Sequence, residues 1–481
     1  MRSRTSLIVL LSVVGLALAP VGASASNSQL AMFQEDGALL YSGDAKRQAT
    51  LDELQALGVD VIKAQLLWAN IAPAGKRKPA GFDGSDPSQY PGWGRYDAFV
   101  TDAQARGFRV MFALSPPHPG WATKRRGDRE GPGRPNPREF RAFAEAAGER
   151  YPTVDLWTTG NEPNHKGFLF PQSKNGVPVA PHVYREMVRG AVSGLRASGH
   201  GGDTILFGEL LPIAPSALGP KLNMKPIRFI REFFCLDANW RAFRGRAARQ
   251  RGCNGYRKLS GVSGFAYHPY TRPAGPSLVE PSNDDATIRS LGRVTRALDI
   301  ARRKRRLSGG RPALWITEFG FQSNPPDRFG ARIRRIPSFM GESELWLALN
   351  NRRVKSYSHY AMTDTAILGG DTGSWQSGLR FANESQKPGV YDAYRLPIFV
   401  RLLGPNAVEV RGAARPGGAG AVVQVQQRKG GAFNDLGAPI TVSNQRGYFK
   451  ARFRLAGAAK RRFRFTFDGM SSPDLKAVVR P

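Results

Sequence analysis

The stretch Trp157 to Asn164, which reads WTTGNEPN, decides how this chain folds. The run that leads into it, Val154 to Thr159, is rich in β-branched and aromatic residues and predicts a strand. The glycine, asparagine and proline that follow turn the chain out of the strand and into a loop. Glu162 is therefore expected at the carboxyl end of a strand, beside Asn161, whose amide can hydrogen-bond a sugar hydroxyl.

A second stretch, Ala313 to Phe321 (ALWITEFGF), repeats this arrangement and places Glu318 at the end of another apolar strand. Two carboxylates delivered from two strand ends are what acid/base and nucleophilic chemistry on a glycosidic bond requires. If both glutamates were structural, each would stand at a strand end beside glycine or proline by coincidence. The pair therefore predicts chemistry on a glycosidic bond.

These two motifs, Asn-Glu-Pro and Thr-Glu-Phe-Gly, resemble the acid/base and nucleophile motifs of the clan A glycoside hydrolases. The clan consists of retaining enzymes on a (β/α)8 barrel, with the acid/base on the fourth strand and the nucleophile on the seventh. The resemblance covers roughly residues 30 to 400 and implies that Glu162 is the acid/base and Glu318 the nucleophile. Within the clan, the chain is similar to cellulases and β-xylosidases, and the resemblance implies a secreted bacterial member.

Strand-like and helical patterns alternate along most of the chain, which predicts successive βα units and a parallel barrel. The predicted strands are residues 30–34, 59–68, 108–114, 154–159, 204–211, 262–270, 312–319 and 354–361. The predicted helices are residues 49–57, 96–106, 137–150, 182–197, 284–305 and 341–350. We place this α/β barrel at residues 28–398, and its active site at the carboxyl ends of the strands.

Beyond the barrel the pattern changes to short alternating runs separated by glycine-rich turns, which predicts a small all-β sandwich-like module at residues 403–481. A chain of 481 residues, with 41% hydrophobic residues, is long and apolar enough for one large barrel and such a module. No internal repeat or nucleotide-binding glycine loop is evident, and we expect a monomer.

The amino terminus has the organisation of a signal peptide, which we place at residues 1–25. Arg2 and Arg4 precede an apolar run from Ser6 to Ala19, and small residues at 23–25 suit cleavage. An uncleaved anchor is the alternative. The rest of the chain holds no apolar run long enough to span a bilayer, so we expect a secreted, extracellular protein that could associate with the cell wall.

Cys235 and Cys253 are the only cysteines, and in an exported protein they could form a local disulfide. The alternative is two unrelated thiols. Neither cysteine belongs to a metal-ligand pattern, and the six histidines are scattered without zinc spacing. We therefore expect neither a metal ion nor a cofactor.

Several other side chains fall at predicted strand ends and are candidates for carbohydrate binding. Trp68 ends strand two, and His118 follows strand three, where it either contacts sugar or packs its loop. His165 follows the Asn-Glu-Pro motif directly and is expected to line the cleft. Glu209, near the end of strand five, is a third carboxylate, either catalytic or an acceptor for a substrate hydroxyl or an arginine.

The clan resemblance adds roles for further residues. His268 and Tyr270 resemble the sixth-strand motif in which a tyrosine hydroxyl contacts the nucleophile, although Pro269 between them also suits a simple turn. Clan members often place an aromatic from the last loop under the sugar ring, which makes Trp375 a candidate platform. Lys63 stands where the clan carries an arginine, so the clan role of that arginine does not transfer directly.

The formal net charge of +32 favours anionic partners such as uronic or teichoic polymers. The alternative is that arginine is simply used throughout the surface. In the module, Tyr448 to Leu455 (YFKARFRL) alternates apolar and basic residues, so one face could bind an anionic cell-envelope polymer or merely be solvated. The charge is spread along the whole chain, so we expect no specific binding of nucleic acid.

Taken together, the sequence predicts a secreted retaining glycosidase that cleaves a poly- or oligosaccharide by double displacement. The rival hypothesis is a non-catalytic protein that binds glycan or an envelope polyanion on a barrel scaffold. The rival requires a blocked cleft or a displaced glutamate, and the two can therefore be separated by the geometry around Glu162 and Glu318.

Overall fold

Eight parallel strands close into a barrel in which the order around the ring follows the order along the chain. The computed structural model describes residues 29–123, 131–365 and 375–479, so the predicted signal peptide lies outside the described residues. The predicted (β/α)8 barrel is confirmed. The barrel strands are β1 (Leu30–Gln34), β2 (Val61–Leu67), β3 (Arg109–Ser115), β4 (Leu156–Thr159), β5 (Thr204–Leu210), β6 (Gly264–Tyr267), β7 (Ala313–Ile316) and β8 (Val354–Tyr360).

Helices follow the strands and cover the outside of the barrel, as parallel sheets buried on both faces require. The helices of the described residues are α1 (Asp36–Leu40), α2 (Asp44–Ala56), α3 (Trp68–Ile71), α4 (Gly94–Ala105), α5 (Pro137–Arg150), α6 (Ala180–Ala197), α7 (Pro226–Phe233), α8 (Gly245–Gln250), α9 (Gly292–Arg303), α10 (Ile336–Asn350) and α11 (Val390–Arg395). None of them is both long and apolar enough to cross a membrane.

The helix predicted at residues 284–305 is shorter than expected, because its first residues bind neighbouring loops instead. Asp284 accepts two bonds from Arg231, and Asp285 pairs with Lys225. Thr287 begins a 3-10 turn with a capping box, so α9 itself starts only at Gly292. Side chains that bond to other segments compete with helix formation at such positions.

The interior of the barrel changes character from one end to the other. Its amino-terminal half is filled by an apolar layer that includes Val61, Leu156 and Ala266. Two residues further along the same strands, the inward positions are Lys63, Thr158 and His268, all of them buried. Polar side chains are therefore collected at the carboxyl end of the barrel, where barrel enzymes carry their active sites.

The carboxyl-terminal region forms two antiparallel sheets around one apolar core, as predicted for the module. One sheet contains Ile398–Gly404, Ala407–Ala413 and Tyr448–Arg454, and the other is built on Val422–Arg428 and Arg462–Phe467 with the short strands Asn434–Asp435, Ile440–Thr441, Met470–Ser471 and Leu475–Lys476. The first of these strands, Ile398–Gly404, pairs with the second strand of the module. Ile398 and Val400 belong to the module core, so the module begins before residue 403.

The module is attached to the barrel through a buried polar cluster. Glu344 of α10 accepts hydrogen bonds from Arg415 at 2.9 Å and from the Tyr448 hydroxyl at 2.8 Å. The same hydroxyl accepts a bond from Gln29, which immediately precedes β1. Apolar contact between Leu345 and the module surrounds this cluster. We call Gln29, Glu344, Arg415 and Tyr448 the seam.

Candidate active site

Glu162 and Glu318 lie at the carboxyl end of the barrel, in the loops that follow β4 and β7. Glu162 has a φ of +36°, a conformation that side chains other than glycine rarely adopt. Glu209, at the end of β5, shares this feature with a φ of +52°. Backbone strain of this kind tends to collect at functional sites, where surrounding structure holds it in place.

The two glutamates approach each other closely. One oxygen of Glu162, one oxygen of Glu318 and one ring nitrogen of His268 all lie within 4.8 Å of one another. Both carboxylates remain partly accessible, because 16% of the Glu162 side chain and 11% of the Glu318 side chain are exposed. The cluster can thus act on a molecule that enters from solvent.

Tyr270 holds Glu318 directly, since its hydroxyl donates a hydrogen bond of 2.9 Å to Oε1 of the carboxylate. Burial raises the pKa of Glu318, and the positive charges of His268 and Lys63 together with the Tyr270 bond oppose that rise. The bond to Tyr270 favours the ionised form of Glu318, because a phenol donates to a carboxylate oxygen more strongly than to a neutral acid.

His268 joins three carboxylates. Its Nδ1 lies 3.2 Å from Glu162 Oε1 and 3.8 Å from Glu318 Oε2, and its Nε2 lies 2.8 Å from Glu209 Oε2. Burial alone would lower the pKa of His268, but the charges of Glu318 and Glu209 outweigh it and raise the pKa to about 9. A ring that is protonated on both nitrogens at neutral pH offers no lone pair to a metal ion.

Glu209 lies beneath the site and is fully buried. It pairs with Lys63 of β2 and accepts a hydrogen bond of 3.2 Å from Thr158 of β4. Burial would raise the pKa of Glu209, but Lys63 and His268 lower it to about 2. Glu209 is therefore an ionised partner of two cations, and Lys63 reaches Glu209 instead of bonding to Glu318.

A cleft of about 440 Å³ opens at the carboxyl end of the barrel, with Glu162 in its wall. It is lined by the loops that follow β4 to β8, and His165, Tyr270 and Trp375 all contribute to it. Trp375 packs edge-on against Tyr270, with ring centroids 5.2 Å apart. The other lining residues are Glu162, Leu211, Pro212, Ile213, Asn223, Thr271, Arg272, Pro273, Gly320, Phe321, Gln322, Asp327, Phe329, Gly330 and Ala331.

Four of the predicted binding residues do not line this cleft: Trp68, His118, Asn161 and His268. Trp68 is completely buried and stacks on Phe143 of α5 at 5.2 Å, so the prediction that it contacts substrate is wrong. His118 is also fully buried, with its Nδ1 3.0 Å from the carbonyl of Gly133, so it packs its loop. Burial lowers the pKa of His118 to about 4 and keeps the ring neutral.

Asn161 lies beside Glu162 and is only 4% exposed. Its side-chain oxygen has no hydrogen-bond partner among the described residues. A buried amide oxygen without a partner is costly, and Asn161 does not itself line the cleft. The disulfide between Cys235 and Cys253 lies elsewhere, in the segment between α7 and β6, where Arg185 contacts Cys235 Sγ.

Two residues of the site were not singled out from the sequence. Phe329 lies in the cleft wall with 63% of its surface exposed, in a loop bracketed by Ser323–Asn324 and Ala331–Arg332. Tyr360 ends β8 and packs edge-on against Trp375 at 5.9 Å. Tyr360 could have been predicted from the sequence, because it lies at the end of a predicted strand, like the other site residues. The loop that contains Phe329 has no sequence feature that indicates a place in the site.

No protein-family model and no curated protein matches the sequence. Solved structures do resemble it. They include xylanase 10B from Thermotoga maritima (14% identity over 77% of this chain and 95% of that chain, TM-score 0.45) and β-glucosidase 2 from Trichoderma reesei (14% identity, 76% and 97%, TM-score 0.46). An endo-1,4-β-mannanase from Rhizomucor miehei is 12% identical over 73% of this chain and 90% of that chain, with a TM-score of 0.42. The likeness is one of fold.

Proposed function

We propose that the chain is a retaining glycoside hydrolase in which Glu162 is the acid/base and Glu318 the nucleophile. The observation that carries the proposal is the approach of the two carboxylates to within 4.8 Å. Retaining enzymes hold their carboxyl groups about 5 to 5.5 Å apart, whereas inverting enzymes need about 6.5 to 9.5 Å to admit a water molecule.

The contacts of the two glutamates support this division of roles. Glu318 receives the Tyr270 hydroxyl, which stabilises and aligns an ionised nucleophile. Glu162 lines the open cleft, and no tyrosine hydroxyl of the described residues donates to it, so it can face the departing oxygen of a bound sugar. The raised pKa of Glu318 sets the acid limit of the activity, because a protonated nucleophile cannot attack.

In the first step, an oxygen of Glu318 bonds to the anomeric carbon while the bond to the leaving oxygen breaks. Protonated Glu162 transfers its proton to that oxygen. In the second step, Glu162 removes a proton from water, and the water oxygen displaces Glu318 from the anomeric carbon. Both glutamates return to their starting charges and the anomeric configuration is retained. Asn161, with its unpartnered oxygen beside Glu162, would accept a bond from a sugar hydroxyl.

We also infer that the protein is exported, from the signal-like segment at residues 1–25, and that its substrate is a poly- or oligosaccharide. The open cleft and its exposed aromatic wall support a carbohydrate chain as substrate. The basic strand Tyr448–Arg454 supports an anionic envelope polymer as a second partner of the module.

The test is hydrolysis of a panel of aryl β-glycosides and an aryl α-L-arabinofuranoside by the wild type, Glu318→Ala and Glu162→Ala. We expect one substrate to turn over and Glu318→Ala to lose activity. Azide should rescue Glu318→Ala with inversion and Glu162→Ala with retention, because azide replaces the nucleophile in one variant and the attacking water in the other. Full activity in Glu318→Ala would refute the assignment, and no turnover of any substrate would favour a glycan-binding protein.

A further inference from the structure

A chain of buried charges runs across the barrel beneath the two glutamates. It begins at Lys63 on β2, passes through Glu209 at the end of β5, and reaches His268 after β6. The Lys63, Glu209 and His268 side chains have no exposed surface. Coulomb interactions are strong in such an interior and water screens them poorly, so each charge must be balanced by its neighbours.

Contacts and charge together set the protonation state of His268. Nε2 lies 2.8 Å from Glu209, which pairs with Lys63, and Nδ1 lies 3.2 Å from Glu162 and 3.8 Å from Glu318. A neutral ring with its proton on Nε2 fits these contacts only if Glu162 donates to Nδ1, whereas the doubly protonated ring donates on both sides. The surrounding negative charges raise the pKa of His268 to about 9, so the ring is a cation at neutral pH.

The charges in this cluster then determine what the catalytic pair can carry. Lys63 cancels Glu209, which leaves the positive charge of His268 to be balanced by one further negative charge. One of the two catalytic carboxyls can stay ionised beside this cation, and the other, with an oxygen within 4.8 Å of that ionised neighbour, then favours its protonated form. That is the state in which double displacement begins, with an ionised nucleophile and a protonated acid.

We propose that the Lys63–Glu209 pair is a positioning device that, through His268, keeps the two catalytic glutamates at one negative charge and one proton. The proposal rests on the proposed function of Glu162 and Glu318. Lys63 and Glu209 touch neither the cleft nor the reacting atoms, so they act only through His268 and the field that they create.

Other ionisable groups face this cluster. Asp36, after β1, interacts electrostatically with Lys63 and accepts bonds from the Gln65 amide and the Gln34 side chain. Tyr270 faces Glu318. Among the described residues, no hydrogen bond or ion pair connects Asp36 to His268, so Asp36 acts on the site through Lys63.

The experiment compares pH profiles of kcat/KM for the wild type, Lys63→Met, Glu209→Gln and the double variant. Loss of the Lys63 charge should move both limbs of the profile to higher pH by about 1 unit, because removing a cation makes both carboxyls harder to ionise. Loss of the Glu209 charge should move both limbs to lower pH by about 1 unit. The double variant removes one charge of each sign and should bring both limbs back towards their wild-type positions.

Matched variants separate charge from structure. Lys63→Arg keeps the cation and should leave the limbs in place. The Lys225→Met substitution disrupts a different buried ion pair, Lys225–Asp285. It should lower the melting temperature without moving the limbs of the pH profile. Limbs that stay fixed in Glu209→Gln, or shift in the same direction in both single variants, would overturn the proposal. A double variant that fails to recover would do the same.

A second readout does not need activity. In wild-type protein at pH 7.5, nitrogen NMR should show both His268 nitrogens protonated, with the signal assigned by its loss in His268→Gln. The ring should titrate near pH 9 in the wild type and at lower pH in Glu209→Gln. A neutral His268 at pH 7.5 overturns the inference even if hydrolysis is observed. A cationic His268 supports it even if the substrate panel fails, so the two proposals can fail separately.

Discussion

Removal of the Tyr270 hydroxyl gives the sharpest test of the site. In Tyr270→Phe the ring remains, but Glu318 loses a hydrogen bond of 2.9 Å. A hydrogen bond to a charged group is worth about 1.5 to 3 kcal/mol, and 1.36 kcal/mol corresponds to about one pKa unit. Because 11% of the Glu318 side chain is exposed, water replaces the lost donor only in part. We therefore expect the pKa of Glu318 to rise further, by about 1 to 2 units.

The sign of the effect on activity follows from the role of Glu318. The nucleophile must be ionised, so a raised pKa moves the acid limb of kcat/KM to higher pH by the same amount. The measurement is a pH–rate profile on the aryl glycoside that the wild type hydrolyses. Tyr394→Phe is the matched control, because its buried hydroxyl has no partner among the described residues and its ring does not line the cleft. An acid limb unchanged in Tyr270→Phe would refute the reasoning.

Three further predictions concern the rest of the molecule. Replacing Cys235 and Cys253 together by serine removes a disulfide that joins positions 18 apart. The substitution should lower the free energy of unfolding, measured in urea, by about 3 kcal/mol and leave kcat/KM nearly unchanged. The Phe329→Ala substitution should lower kcat/KM for oligosaccharides about tenfold, because about 1.5 kcal/mol of apolar contact with the bound sugar chain is lost. The same substitution should leave kcat/KM for aryl monosaccharides unchanged. An equal loss on both substrates would contradict a role for Phe329 as a platform for the sugar chain. The Tyr448→Phe substitution removes one hydrogen-bond donor from Glu344 and should lower the free energy of unfolding by about 1 to 3 kcal/mol, measured by thermal unfolding. An unchanged melting temperature would show that the seam contributes little to stability.

Local sequence signals were enough to predict the main parts of the site. Glu162 and Tyr270 each follow an apolar strand and a turn residue, and Glu318 ends an apolar strand with Gly320 behind it. The barrel topology then brings these strand ends together. The hydrogen-bond and ion-pair partners of these residues could not be predicted from the sequence in this way. Whether Lys63 reaches Glu209 or Glu318 depends on which inward positions of distant strands meet at the same height.

Aromatic residues at strand ends were the main source of error. Trp68 has the sequence position of a sugar platform, but α3 begins at that residue and turns the ring beneath α5, against Phe143. The bounds of the module also depend on strand pairing. Ile398 lies within the range predicted for the barrel, and only its pairing with Gly412 assigns it to the following sheet.

The seam also has a consequence for the order in which the protein is made. Gln29 stands at the beginning of the barrel and Glu344 near its end, and both bind the hydroxyl of Tyr448, far along the module. During synthesis from the amino terminus, the barrel sequence is therefore complete on the ribosome well before its last stabilising contact can form. A nascent chain arrested shortly after residue 397 should be more sensitive to protease than the released protein, and it should become resistant only when Tyr448 has emerged.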